Sequence, residues 1–230
     1  MVGDSFITLP YLHRKLSFDP QTSFAPIILM TTQPLVLTVH AAVPATNFKE
    51  FVALAKAKPG TLSLATGGAT QYLTSELIKK RAGVDLIHVP YNGSRAMVDL
   101  IGGQVNAAVL GSSSVRPHAS SGKVRILAVT SGSRSAALPD IPTLAESGLS
   151  GFDIYQWIGL FAPAGTPTGI VTRLNGEATK VLLQPAVRER LEAAGFEPRT
   201  GSPREVEVLI RDGRARWSKL MNELGLKLNE

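Results

Sequence analysis

Three observations predict an α/β fold with parallel-sheet connections. Short runs rich in β-branched residues alternate with amphipathic stretches along the chain. Glycine, proline and asparagine punctuate the changes from one to the other. Hydrophobic residues make up 44% of the 230 and charged residues 18%, the balance of a chain that buries a core rather than staying disordered. At this length the chain holds one large domain or two small lobes.

The elements follow in order. Residues 34–41 (PLVLTVHA) predict a buried strand, and Asn47 with Glu50 three residues on predicts a capping box opening a helix with Phe48, Phe51, Val52 and Ala55 on its inner face. Lys58, Pro59 and Gly60 end it. A strand over 62–66, a break at Gly67 and Gly68, and a helix over 70–82 burying Leu73, Leu77 and Ile78 come next, closed by Gly83. The unit repeats as strand 85–89, turn Tyr91-Asn92-Gly93 and a helix around Met97, Leu100 and Ile101. It repeats again as strand 105–110, a small-residue loop over 111–114, a short helix over 115–121 and strand 124–130. Residues 42–155 therefore read as one βα lobe. A long apolar strand over 152–162 follows, then a helix started by Pro167 and carrying Ile170, Val171 and Leu174. Ser202 with Glu205 forms a second capping box, opening a helix with Val206, Leu209, Ile210 and Trp217 at core spacing. Gly213 inside that helix costs about 1 kcal/mol relative to alanine.

Composition removes several functions. The net charge of +6 is scattered, with Lys79, Lys80 and Arg81 the longest basic run, and no basic stripe is interleaved with aromatics, so no nucleic-acid partner is expected. Without cysteine there is no disulfide framework, thiolate nucleophile or Cys-based metal site. The start of this chain has neither the basic nor the apolar region of a signal peptide, and no apolar run approaches membrane-spanning length. The reading is of a soluble chain with no export address. His13, His40, His88 and His118 are too far apart in sequence for metal-ligand spacing, and His88, beside Pro90, reads as a core or rim histidine. No Gly-x-Ser-x-Gly elbow, P-loop or full Gly-x-Gly-x-x-Gly is present. No catalytic residue, metal or cofactor is therefore expected, and Glu76 and Asp99 read as solvated helix surface.

The informative segment is the strand-loop-helix at 62–77. In an open α/β sheet, ligands bind beyond the carboxyl ends of strands, where helix N-termini present unpaired N–H groups to anions. Gly67 and Gly68 would let backbone approach a ligand, Thr66 and Thr70 offer hydroxyls, and the amides of Ala69, Thr70 and Gln71 would face outward. The same residues equally make an ordinary tight strand-to-helix connection.

Seven stretches, in order, carry a resemblance: LHRKLSFDPQTSF (12–24) running into Ala25-Pro26, AKAKPG (55–60), HVPYNG (88–93), LIGGQV (100–105), GKVRILAVT (122–130), LPDIPTLAESG (138–148) and WIGLFAPAGTP (157–167). Together they resemble the Bug-type receptors of tripartite tricarboxylate transporters across nearly the whole chain. The resemblance implies a type II periplasmic-binding-protein fold, with two lobes of mixed sheet joined by crossing strands at 34–41 and 155–162. The lobes implied are 1–41 plus 156–230, and 42–155. It implies a periplasmic receptor, not an enzyme, that captures small carboxylates of dicarboxylate type by closing about a hinge and presents them to membrane transporter subunits. Its pocket wall maps onto Thr66, Gly67, Gly68, Ala69, Thr70 and Gln71, with further contacts at Gly3, Asp4, Ser5, Tyr91, Ser112, Ser113 and Trp157.

Two departures qualify the resemblance. The family's signal peptide, first strand and first glycine-rich loop have no counterpart before Met1, so the fold is expected to be N-terminally truncated, with an incomplete pocket and an exposed sheet edge that invites association. The loop at Gly67 and Gly68 is shorter than the common family version, and Tyr72 stands where a histidine is frequent. Three rival readings are the effector domain of a LysR-type regulator, an α/β enzyme with an unrecognised site, and a gene fragment that binds nothing.

Overall fold

The computed structural model describes residues 1–12 and 16–225. His13 and part of the 12–24 motif lie outside the described residues. The chain divides into two units, 1–32 with 157–230 and 33–156. It passes between them twice, within strand β2 (Phe24–His40) and within strand β7 (Tyr155–Pro163).

The first unit opens with β1 (Val2–Gly3) and α1 (Ser5–Thr8), followed by a 3₁₀ turn at Leu9–Tyr11. β1 pairs antiparallel with β7, which neighbours β2. The first half of β2 pairs with β8 (Glu197–Pro198) at Thr31 and Thr32. Helices α6 (Thr168–Leu182), α7 (Pro185–Ala193) and α8 (Pro203–Leu224) complete the unit. Ile27 and Ile28 of β2 pack with Val171 and Leu182 of α6. α8 starts as its sequence predicts: Ser202 Oγ accepts from Glu205 N–H, and the Glu205 carboxylate accepts from Ser202 N–H. Gly213 faces α1, where a Cβ would stand 2.7 Å from Ile7 Cδ1, the end of a side chain that can shift.

In the second unit β2 continues between β6 (Val124–Val129) and β5 (Ala107–Gly111), antiparallel to both. β5 pairs parallel with β3 (Ser63–Thr66), and β3 pairs parallel with β4 (Ile87–Pro90). The order is thus β6-β2-β5-β3-β4, a mixed sheet with a parallel half. Helices α2 (Phe48–Ala57), α3 (Ala69–Ala82), α4 (Arg95–Ile101) and α5 (Ser112–Ala119) connect its strands. One core joins Val36, Ala65, Ala108 and Val129 of the sheet to Met97 and Leu100 of α4 and Val115 of α5. Asn47 caps α2 by accepting from Glu50 N–H, as predicted, while Glu50 reaches one residue further back to Thr46 N–H. That bond, more than any other influence, holds the Glu50 carboxyl below its ordinary range.

Three expectations need correction. β2 begins at Phe24 rather than residue 34, because its first half is ordered by β8 and β7, partners remote in sequence. The small-residue stretch 111–114 is not a loop: Gly111 ends β5 in extended backbone and α5 starts at Ser112, so the helix predicted over 115–121 lies one turn earlier. Glu76 is not solvated surface but forms a part-buried ion pair with Lys79 at 2.9 Å, and Asp99 is half-buried. The basic run 79–81 closes α3, where cations suit the helix dipole, and Arg81 stacks over Phe152 at 5.0 Å.

Candidate functional site

β3 and β5 lie side by side and parallel, Thr66 opposite Val109, so their carboxyl ends share one edge of the sheet. From that edge the chain leaves in opposite directions. α3 carries β3 across to β4 on one side, and α5 carries β5 to β6, which lies beyond β2 on the other. Two adjacent parallel strands whose connections diverge form a switch point, the place where open α/β sheets leave a crevice.

Neither helix is capped by the side chain of its own N-cap residue. Gly68 and Gly111, the N-cap residues of α3 and α5, are extended, and neither has a side chain to offer. Tyr72 N–H bonds Gly68 O, the first bond of the α3 ladder, so the amides of the first turn face the edge. The two glycines before α3 differ sharply. A Cβ on Gly67 would stand 2.8 Å from Gly93 O, whereas one on Gly68 would meet nothing within 4 Å. Gly67 is thus required by the fold, and Gly68 leaves open space.

The hydroxyls singled out from sequence are drawn inward. Thr66 and Thr70 are buried, and Thr66 Oγ1 lies 2.8 Å from His88 Nε2. His88 also packs against the Tyr72 ring, centroids 4.7 Å apart. Burial lowers the His88 pKa and raises that of the Tyr72 phenol; Glu76 opposes the first shift and adds to the second. Gln71 reaches back so that its Oε1 accepts from Gly67 N–H at 2.5 Å. Tyr91 joins the same edge, its N–H donating to Thr66 O, and Ser113 N–H donates to Gln33 Oε1. Sequence reasoning missed Gln33 and Gln156, whose partners are remote in the chain.

Of the remaining candidates, Gly3, Asp4, Ser5 and Trp157 come together in the first unit. Gly3 pairs with Ile158, Asp4 N–H donates to Trp157 O at 3.0 Å, and Asp4 and Trp157 are buried. Across 66–71, 111–113, Gln33 and Gln156 no side chain carries a charge. The polar groups of this edge are backbone amides, carboxamides and hydroxyls, all uncharged. Among the described residues no group of three or more His, Asp or Glu could hold a metal ion.

Comparison with known proteins identifies the family and the fold. The family described as tripartite tricarboxylate transporter family receptor matches residues 1–226. A protein from the tcbD-tcbE intergenic region of Pseudomonas sp. (strain P51) is 37% identical over 224 residues, 96% of this chain and 67% of its own length. The chain thus spans about two thirds of that relative. Among solved structures, Rpa4515 of R. palustris with adipate is similar at a TM-score of 0.94 and 31% identity, covering 99% of this chain and 78% of the other. The periplasmic binding protein BugD gives 0.92 at 31% identity with the same coverage. MatC of Rhodopseudomonas palustris with bound malate gives 0.84 at 30% identity, covering 95% and 75%. The fold is that of the periplasmic binding proteins, and the chain belongs to the receptor family of tripartite tricarboxylate transporters.

Proposed function

We propose that this chain is an extracytoplasmic receptor that takes a small carboxylate, of dicarboxylate type, at the switch point of its second unit. The observation that carries the reading is the pair of helix N-termini with glycine at the N-cap, α3 and α5, at the diverging carboxyl ends of β3 and β5. Gly68 lets the ligand approach the first turn of α3, whose amides at Ala69, Thr70 and Gln71 supply the donors, and Ser112 and Ser113 lie across the edge at the start of α5. Thr66, Gly67 and Tyr91 hold that edge in shape. Gly3, Asp4, Ser5 and Trp157 belong to the binding set through the family resemblance. Adipate on Rpa4515 and malate on MatC support the ligand class. The reading involves no covalent step and no catalytic residue; the bound acid is handed to the membrane subunits of the transporter from the periplasmic side. A LysR-type effector domain is not favoured by any of the similarities.

The test is thermal unfolding with a panel of dicarboxylates, tricarboxylates and aromatic acids. Ligand at a hundredfold over its Kd adds about 2.7 kcal/mol, which raises the midpoint of a chain this size by roughly 5 to 10 °C. Gly68→Ala, whose new methyl enters open space, is expected to reduce that shift, read against the variant's own ligand-free midpoint. A cooperative transition that none of the acids moves would overturn the reading.

A further inference from the structure

Gln33 and Gln156 are the first and last residues of the second unit, on the two strands by which the chain enters and leaves it. Their side chains meet: Gln33 Nε2 donates to Gln156 Oε1 at 3.4 Å. The orientation of this pair does not depend on choosing between amide oxygen and nitrogen, because a backbone N–H sets it. Ser113 N–H donates to Gln33 Oε1 at 2.9 Å, and a backbone N–H can only donate. Gln33 must therefore turn its oxygen to Ser113 and its nitrogen to Gln156. Gln156 must answer with its oxygen, which turns its own NH₂ away from Gln33. Room for the pair comes from Gly111, where a Cβ would stand 2.7 Å from both Gln33 Nε2 and Gln156 Oε1. The two carboxamides thus lie over the N-cap residue of α5, with Gln33 fixed by burial and Gln156 half-exposed.

We infer that Gln33 and Gln156 are specificity-determining residues of the receptor site: Gln33 is a positioning residue that sets the polarity of the pair, and Gln156 presents its NH₂ to a ligand carboxylate beside the first turn of α5. The inference rests on the carboxylate reading and deepens it. It makes the α5 side of the site a set of neutral donors whose direction is dictated through Gln33, suited to an ionised carboxylate and unsuited to an amine or a cation.

The decisive variant is Gln33→Glu. A carboxylate at 33 still accepts from Ser113 N–H and suits a helix N-terminus, which offsets the cost of burying its charge, so the free chain is expected to fold with a thermal midpoint at or somewhat below the parent's. It can no longer donate, so Gln156 must rotate its NH₂ toward the introduced carboxylate and turn its oxygen toward a ligand that now also meets a new negative charge. Adipate and malate are titrated calorimetrically into the parent chain, Q33E and Q156A. Both variants are expected to bind about ten- to hundredfold more weakly, the size of a lost hydrogen bond to a charged group. Q156A, at a half-exposed position, is expected to keep the parent's midpoint, and it decides the matter if Q33E does not fold. A purely structural role predicts the opposite pattern, with midpoints shifted and affinities kept. Parent-like affinity in Q156A, or in a folded Q33E, overturns the inference while leaving the carboxylate reading in place. A parent chain that binds neither adipate nor malate overturns both.

Discussion

Thr38 is fully buried in β2, and its hydroxyl has no hydrogen-bond partner. Desolvating a hydroxyl without a partner costs about 1 to 3 kcal/mol. Thr38→Val keeps the shape and removes the polar atom, so it is expected to raise the unfolding midpoint by a few degrees in a melt of the two chains side by side. Gly67 predicts the reverse. Its Cβ would meet the Gly93 carbonyl, a backbone atom that cannot rotate aside, so Gly67→Ala is expected to cost about 1 to 3 kcal/mol, the usual cost of overpacking. His88 makes stability depend on pH. Burial lowers its folded pKa below the ordinary value near 6.5, so the native state binds fewer protons than the unfolded chain as the pH falls through that value. Its contribution is complete above pH 6.5 and declines as the pH falls toward the folded pKa. Midpoints recorded from pH 8 to pH 5 are expected to fall less steeply in His88→Gln than in the parent. None of these effects was readable from sequence beyond the presence of the residue, because each depends on neighbours brought in by the fold: Gly93 for Gly67, and the α3 residues Tyr72 and Glu76 for His88.

Helix starts were the most legible elements. Asn47 with Glu50 and Ser202 with Glu205 satisfy their own first-turn amides within three or four residues, so the whole interaction is local. Ser202→Ala is accordingly expected to cost about 1 kcal/mol, measurable by urea unfolding with an unchanged slope. α5 was legible only in part. A run of glycine and serines is a poor helix former, and its first turn is held by Gln33, 80 residues away. β2 was half-legible for a similar reason: the run from Leu35 to Val39 is almost continuously apolar, whereas Thr31, Thr32 and Gln33 interrupt the pattern that leads into it. The candidate site divides in the same way. The glycines after β3 were visible as a break, but the switch point was not, since it exists only once β5 is known to pair with β3 on the side away from β4.

The division of the chain sets what any single-transition experiment reports. The two units share β2 and β7 covalently, yet each has its own buried cluster. Ligand held by the second unit is therefore expected to protect amides of β3, α3, β5 and α5 from hydrogen exchange more than those of α6 and α7. Equal protection throughout would show that the units open together.

One unit is continuous, 33–156, and the other is assembled from 1–32 and 157–230. A ribosome therefore completes the continuous unit before it has made any of 157–230. Synthesis at about 5 to 20 residues per second leaves seconds in which the first half of β2 waits for β7 and β8. Ile27 and Ile28, sealed under α6 in the finished protein, stay open for that interval to chaperones, proteases and neighbouring nascent chains. Substitutions in α6, α7 or α8 that delay docking are thus expected to lower the yield of protein from cells more than they lower the stability of the molecules that mature.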